Sequence, residues 1–128
     1  MEELTINVSW IAVIVSAVIA FILGWVWYLP EVFGAKWADG VGLSFDDKAG
    51  MQTPALITQA IGTFFLAWVV GITVAHNALL TMIFITLAIV FLMSAGGFFS
   101  KKSITAITIE AAYVVAMVVI MIIINAIF

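Results

Sequence analysis

Charged residues and helix breakers divide the chain into four long apolar runs separated by short polar intervals. The runs cover about 6–28, 54–75, 79–99 and 104–127, roughly 21 to 24 residues each, and at about 1.5 Å of helical rise they reach about 31 to 36 Å. That is enough to cross a hydrocarbon core of about 30 Å. Peptide groups in lipid have no water to bind, so each run must satisfy its backbone internally, and its many Val, Ile and Thr residues are helical against their β preference. The pattern predicts an all-α integral membrane protein. It is a single domain over 1–128, with four transmembrane helices in a bundle and a short interfacial helix between the first and second.

The intervals carry helix-end chemistry. Thr53 before Pro54 reads as an N-cap followed by proline at the first helical position, where its missing N–H costs nothing. His76 and Asn77 leave only a tight connection, which makes the second and third spans an antiparallel hairpin. Ser103 caps the fourth span. The chain begins MEEL, with no basic n-region, and its first apolar run is long for a signal peptide, so this run is expected to remain as a helix.

The longest interval follows the first span. Pro30 opens a short helix, with Glu31 at the positive end of the backbone dipole. Phe33 and Trp37, four residues apart, then share a face on the membrane surface, and Lys36 points to water or headgroups. Asp39 to Gly42 ends this element, and Ser44 with Asp47 resembles a capping box before a brief turn. Trp25, Trp27, Tyr28, Pro30, Phe33 and Trp37 together read as an interfacial anchor, with the rings at headgroup depth.

Composition then fixes the solvent and the orientation. With 66% hydrophobic and 9% charged residues and a mean hydropathy of +1.35, the chain has too little charge to cover a soluble surface, and the lipid bilayer is its first partner. It contains no cysteine, which excludes disulfides, thiolate metal sites and thiol nucleophiles. The net charge of -3 lacks the clustered Lys and Arg of a nucleic-acid footprint. Lys36, Lys48, Lys101 and Lys102 all fall in the intervals 29–53 and 99–103. The positive-inside rule therefore predicts that these loops are cytoplasmic and both termini are outside.

The run Gly24, Trp27, Tyr28, Pro30, Phe33, Gly34 and Trp37, spaced G-x-x-W-Y-x-P-x-x-F-G-x-x-W, resembles the N-terminal signature of a mostly bacterial family of small four-helix membrane proteins of unknown function. The similarity extends along the chain to the basic turn before the last span and to Glu110-Ala111-Ala112-Tyr113. Leu29 stands where the family often carries a small residue, and Lys101-Lys102 where an Arg-Pro type of turn is expected. The resemblance implies a four-helix fold in a bacterial cytoplasmic membrane. It transfers no catalytic residue.

Small residues recur every four positions on two spans: Ala12, Ser16, Ala20 and Gly24 on the first, and Thr63, Ala67, Gly71 and Ala75 on the second. Such stripes let helix backbones approach closely in lipid. The fourth span adds Ala112 and Ala116, and the third ends in Ser94-Ala95-Gly96-Gly97. Glu110 is the one carboxylate well inside a span, and Gln59, Ser94 and Thr108 are expected near its depth, so these four form the candidate intramembrane polar site. An isolated carboxylate there is costly, so Glu110 is expected to be protonated, hydrogen-bonded, or paired with Lys101 or Lys102 reaching inward. Two readings stand side by side: a packing contact that fixes helix register, or an ion, proton or polar-ligand site.

Signals for catalysis are sparse. His76 is the one histidine and lies in an outer turn, where a solvated residue is the plainer account. No metal-protease, serine-hydrolase or phosphate-loop motif is present. Asp39, Asp46 and Asp47 lack the spacing of a calcium loop, and Met82, Met93, Met117 and Met121 read as lipid or core filling. The sequence therefore predicts a non-catalytic membrane module without cofactor or metal, acting as a homo-oligomer or as a subunit of a membrane complex. The alternative is a small oligomeric channel or transporter built on Glu110.

Overall fold

The computed structural model describes residues 2–42 and 53–128. The Ser44–Asp47 turn, with Asp46 and Lys48, lies outside the described residues. The elements in chain order are α1 (Glu2–Thr5), α2 (Trp10–Trp27), one π-helical turn (Pro30–Gly34), α3 (Ala35–Val41), α4 (Thr53–Ala75), α5 (Leu79–Phe99) and α6 (Ile104–Ile127). Helices α2, α4, α5 and α6 are each long and apolar enough to cross a membrane. The protein is an all-helical four-helix membrane bundle with a short helix between the first two spans.

Helix ends follow local chemistry. The first span begins at Trp10 rather than at residue 6, because Ser9 takes an extended conformation and its side chain accepts the Ala12 N–H at 3.3 Å. That cap, preceded by Asn7 at a φ of 59°, separates α2 from the short α1. Asn77 (φ 54°) and Lys101 (φ 62°) both occupy the left-handed region just past a helix. Ala78 N–H donates to Thr73 O at 2.7 Å and Asn77 N–H to Val74 O at 3.2 Å. Lys102 N–H donates to Gly97 O and Lys101 N–H to Phe98 O, both at 3.0 Å. Each set is a Schellman motif that satisfies the last carbonyls and reverses the chain. Ser103 caps α6 by accepting the Ala106 N–H at 3.0 Å.

Helix α6 is the most buried span and α5 the most exposed. Helix α6 packs against α2, α3, α4 and α5. Met82, Met121, Val13, Val70 and Ser16 are the largest fully buried side chains. Ala12, Ser16, Ala20, Thr63, Ala67 and Gly71 are buried within the bundle. A Cβ on Gly71 would lie 2.9 Å from Val13 Cγ2, so α2 and α4 approach to a distance that tolerates no side chain there. Of the small residues of α6, Ala112 is exposed and Ala116 partly so.

Helix α3 does not float beside the bundle. It packs on α6, Gly40 O accepts the Ser103 N–H at 2.9 Å, and a Cβ on Gly40 would fall 2.6 Å from that of Ala106. The absence of a side chain at Gly40 is what allows α3 to sit on the first turn of α6.

Candidate functional site

The Lys-rich end of the bundle holds an aromatic cluster around one ion pair. Glu110 lies six residues into α6, about 9 Å along its axis. Its Oε2 accepts the Trp37 indole N–H at 2.7 Å and Lys102 Nζ at 2.9 Å, and its Oε1 accepts Lys102 Nζ at 3.2 Å. The side chains of Lys102 and Glu110 retain 31% and 15% of their accessibility. The Schellman turn places Lys102 just ahead of α6, and the aliphatic stem lets its ammonium reach inward to the carboxylate.

Two further bonds stitch α2 to α6 in opposite directions. The Trp27 indole N–H donates to Ile109 O at 3.2 Å, and the Tyr113 hydroxyl donates to Ala20 O at 2.9 Å. Each helix thus supplies an aromatic donor to a carbonyl of the other. Gly24 makes room for Tyr113, since any Cβ at that position would collide with the Tyr113 hydroxyl. Gln59 Nε2 donates to the same hydroxyl at 3.3 Å, which adds α4 to the set.

The rings pack around these bonds, edge to face at Tyr28 and tilted at Trp27. Tyr28 meets Trp37 with centroids 5.4 Å apart and Tyr113 at 5.7 Å, while Trp27 meets Phe33 at 4.8 Å and Tyr113 at 6.1 Å. Tilted and T-shaped pairs of this kind add to the stabilisation from burial alone. Tyr28 lies just past α2, and burial, followed by the nearby Glu110 carboxylate and then Tyr113, pushes its hydroxyl well above the ordinary phenol range. It is a neutral group beside a carboxylate.

The residues expected to form one polar layer are divided by the structure. Glu110 takes Lys102 and Trp37, whereas Gln59 bonds to Tyr113 rather than to Glu110. Thr108 is exposed and returns its hydroxyl to Ile104 O at 2.8 Å. Ser94 is half-buried and makes no side-chain hydrogen bond among the described residues. Trp37 and Phe33, expected as part of the interfacial anchor, are half-buried, on Tyr28 and Trp27 respectively. Trp25 is exposed, at 56%. Sequence reading missed Tyr113 as a member of the site, although its place three residues after Glu110 put both on neighbouring positions of one helix face.

Among the described residues no group of His, Asp and Glu could hold a metal ion. Chemically, the arrangement ties helices together through a neutralised carboxylate and three aromatic donors.

Four apolar helices closed at one end by this cluster define a small helical membrane protein. The chain belongs to the family described as Protein of unknown function (DUF1761), whose model matches residues 11–126. No curated protein and no solved structure matches it.

Proposed function

We propose that the protein is a non-catalytic integral membrane module that acts by association, as a homo-oligomer or as a subunit of a larger membrane complex. The observation that supports this reading over a channel or transporter is the commitment of Glu110. Its carboxylate is neutralised by Lys102 and bound by Trp37, and the cleft on α4 is lined by other residues. Intramembrane ionisable groups that serve transport face a water-filled cavity or a pathway, and Glu110 does not line the α4 cleft. Here that group holds α3, the α5–α6 turn and α6 in one arrangement.

In this reading the lysine-bearing end faces the cytoplasm of a bacterial cell, with α3 at the interface and both termini outside. A reporter enzyme fused after Phe128 that is active only outside the cytoplasm tests the orientation. For function, the chain is reconstituted into liposomes under proton and cation gradients and, in parallel, cross-linked in its native membrane. Association without flux is the expected outcome, and flux abolished by Glu110→Gln would favour the transporter instead.

A further inference from the structure

We propose that the first half of α4 is the face on which a second copy of this chain docks, with the Gln59 amides of the two copies paired across a twofold axis. This rests on the association reading above. A cleft of ≈ 520 Å³ opens between α4 and α6, and Ala55, Thr58, Gln59, Gly62, Thr63 and Met117 are among its lining residues. Gly62 faces open space, since nothing lies within 4 Å of where its Cβ would be.

Two lining groups lack the partners that an apolar solvent demands. Gln59 is exposed and gives one amide hydrogen to Tyr113, and its Oε1 and second N–H have no partner among the described residues. Thr63 is 4% exposed, yet its Oγ1 has no hydrogen-bond partner among the described residues. Thr58, Thr73, Thr86 and Thr108 all return their hydroxyls to a carbonyl of their own helix.

Depth selects the occupant. Gln59 and Thr63 lie about 7.5 Å and about 13.5 Å beyond Pro54 along the axis, in a span whose length of about 33 Å barely exceeds the hydrocarbon core. A phospholipid chain filling the cleft offers no hydrogen-bonding atom at that depth, and the spare amide groups would remain unmet. An amide is its own complement, with one acceptor oxygen and two donor hydrogens. Two copies inserted in the same orientation and related by a twofold axis along the membrane normal bring the same face together. Ala55, Thr58 and Gly62 then permit the close backbone approach that packs helices in lipid. The exposed face of α5, with Leu80, Phe84, Phe91 and Leu92, is mostly apolar, carries Thr81 as its exposed hydroxyl, and holds no amide to pair.

The chain has no cysteine, so Ala55→Cys and Gly62→Cys each introduce a single thiol in the full-length protein in liposomes. Oxidation is expected to give disulfide-linked dimers from both and none from Phe84→Cys. Gln59→Leu is expected to weaken dimerisation, read by energy transfer between labelled copies, by about threefold to thirtyfold. Gly62→Leu should weaken it at least as much while leaving the monomer's circular dichroism unchanged. Dimers that form but fail to link at 55 or 62 and ignore Gln59→Leu would overturn the docking face and leave the association reading standing. A monomer at every protein-to-lipid ratio would remove both. A co-purifying amphiphile lost on Gln59→Leu, with no cross-link, would assign the cleft to that ligand and overturn the pairing.

Discussion

The Trp37 indole and the Glu110 carboxylate, 73 residues apart in sequence, share a hydrogen bond of 2.7 Å. A neutral donor held on an ionised, half-buried acceptor is among the stronger single contacts in a fold, contributing about 1.5–3 kcal/mol. Trp37→Phe keeps most of the ring packing on Tyr28 and removes only the donor. It is expected to lower stability by about that amount in a denaturant titration of the reconstituted protein, whereas Trp25→Phe, at an exposed ring, should stay within about 0.5 kcal/mol of the parent.

The ion pair beside it predicts an asymmetry. Lys102→Met strands a carboxylate with the indole as its remaining partner, and should cost about 2 kcal/mol once the partial exposure of Lys102 is allowed for. Glu110→Gln should cost less, because the amide still accepts from Trp37 and the freed ammonium can turn to water. The double variant is expected to lose less than the sum of the two, and strict additivity in the same titration would deny the pair any coupling.

Gly24 and Gly62 are expected to respond in opposite ways to alanine. At Gly24 the new methyl meets the Tyr113 hydroxyl, and overpacking of this kind costs about 1–3 kcal/mol. Tyr113→Phe should recover part of that loss by withdrawing the hydroxyl. At Gly62 the space is open, so alanine should raise the stability of detergent-solubilised monomer by about 0.5–1 kcal/mol through its helix propensity. Thermal melts of the three variants check the contrast.

Tyr28 supplies a pH test. The chain has two tyrosines, so in a Tyr113→Phe background Tyr28 is the sole reporter. Its folded pKa is raised above the ordinary 10.0 by burial and then by Glu110. The stability it contributes is therefore complete below pH 10, and is lost as pH climbs beyond that value towards the folded pKa. Phenolate absorbance should be absent at pH 10 in the folded protein and half developed in the unfolded chain. Equal absorbance in the two states would mean that the ring is not shielded.

Much of this architecture was legible in the sequence because lipid imposes it locally. Four apolar runs of spanning length have one solution, and Ser103 and the His76–Asn77 turn announce their helix ends in a few residues. The pairing of Glu110 with a lysine of the preceding turn was also within reach, since eight residues separate it from Lys102. The inward turn of Trp37 was not. A tryptophan near a span end satisfies the headgroup rule equally well facing out or in, and what draws it inward is a carboxylate 73 positions later. The polar layer failed for a related reason: depth along an axis says nothing about azimuth. Thr108 faces away from the cluster, and Gln59 meets Tyr113 before it can meet Glu110. The start of α2 moved because the Ser9 cap is a matter of backbone angle, which hydrophobicity does not record.

The opposed bonds from Trp27 to Ile109 and from Tyr113 to Ala20 carry a consequence for biosynthesis. The first span is made early, yet the hydrogen-bond acceptors of Trp27 and Trp37, and the Tyr113 ring that Tyr28 packs on, all lie on the last helix. Until α6 leaves the ribosome and enters the bilayer, the rings of the N-terminal end have only one another to pack on, and their indole donors lack acceptors. Completion of the chain is thus also the moment at which this end closes, and a chain truncated after α5 should pair α2 with α4 and yet remain open here, a candidate for membrane proteolysis.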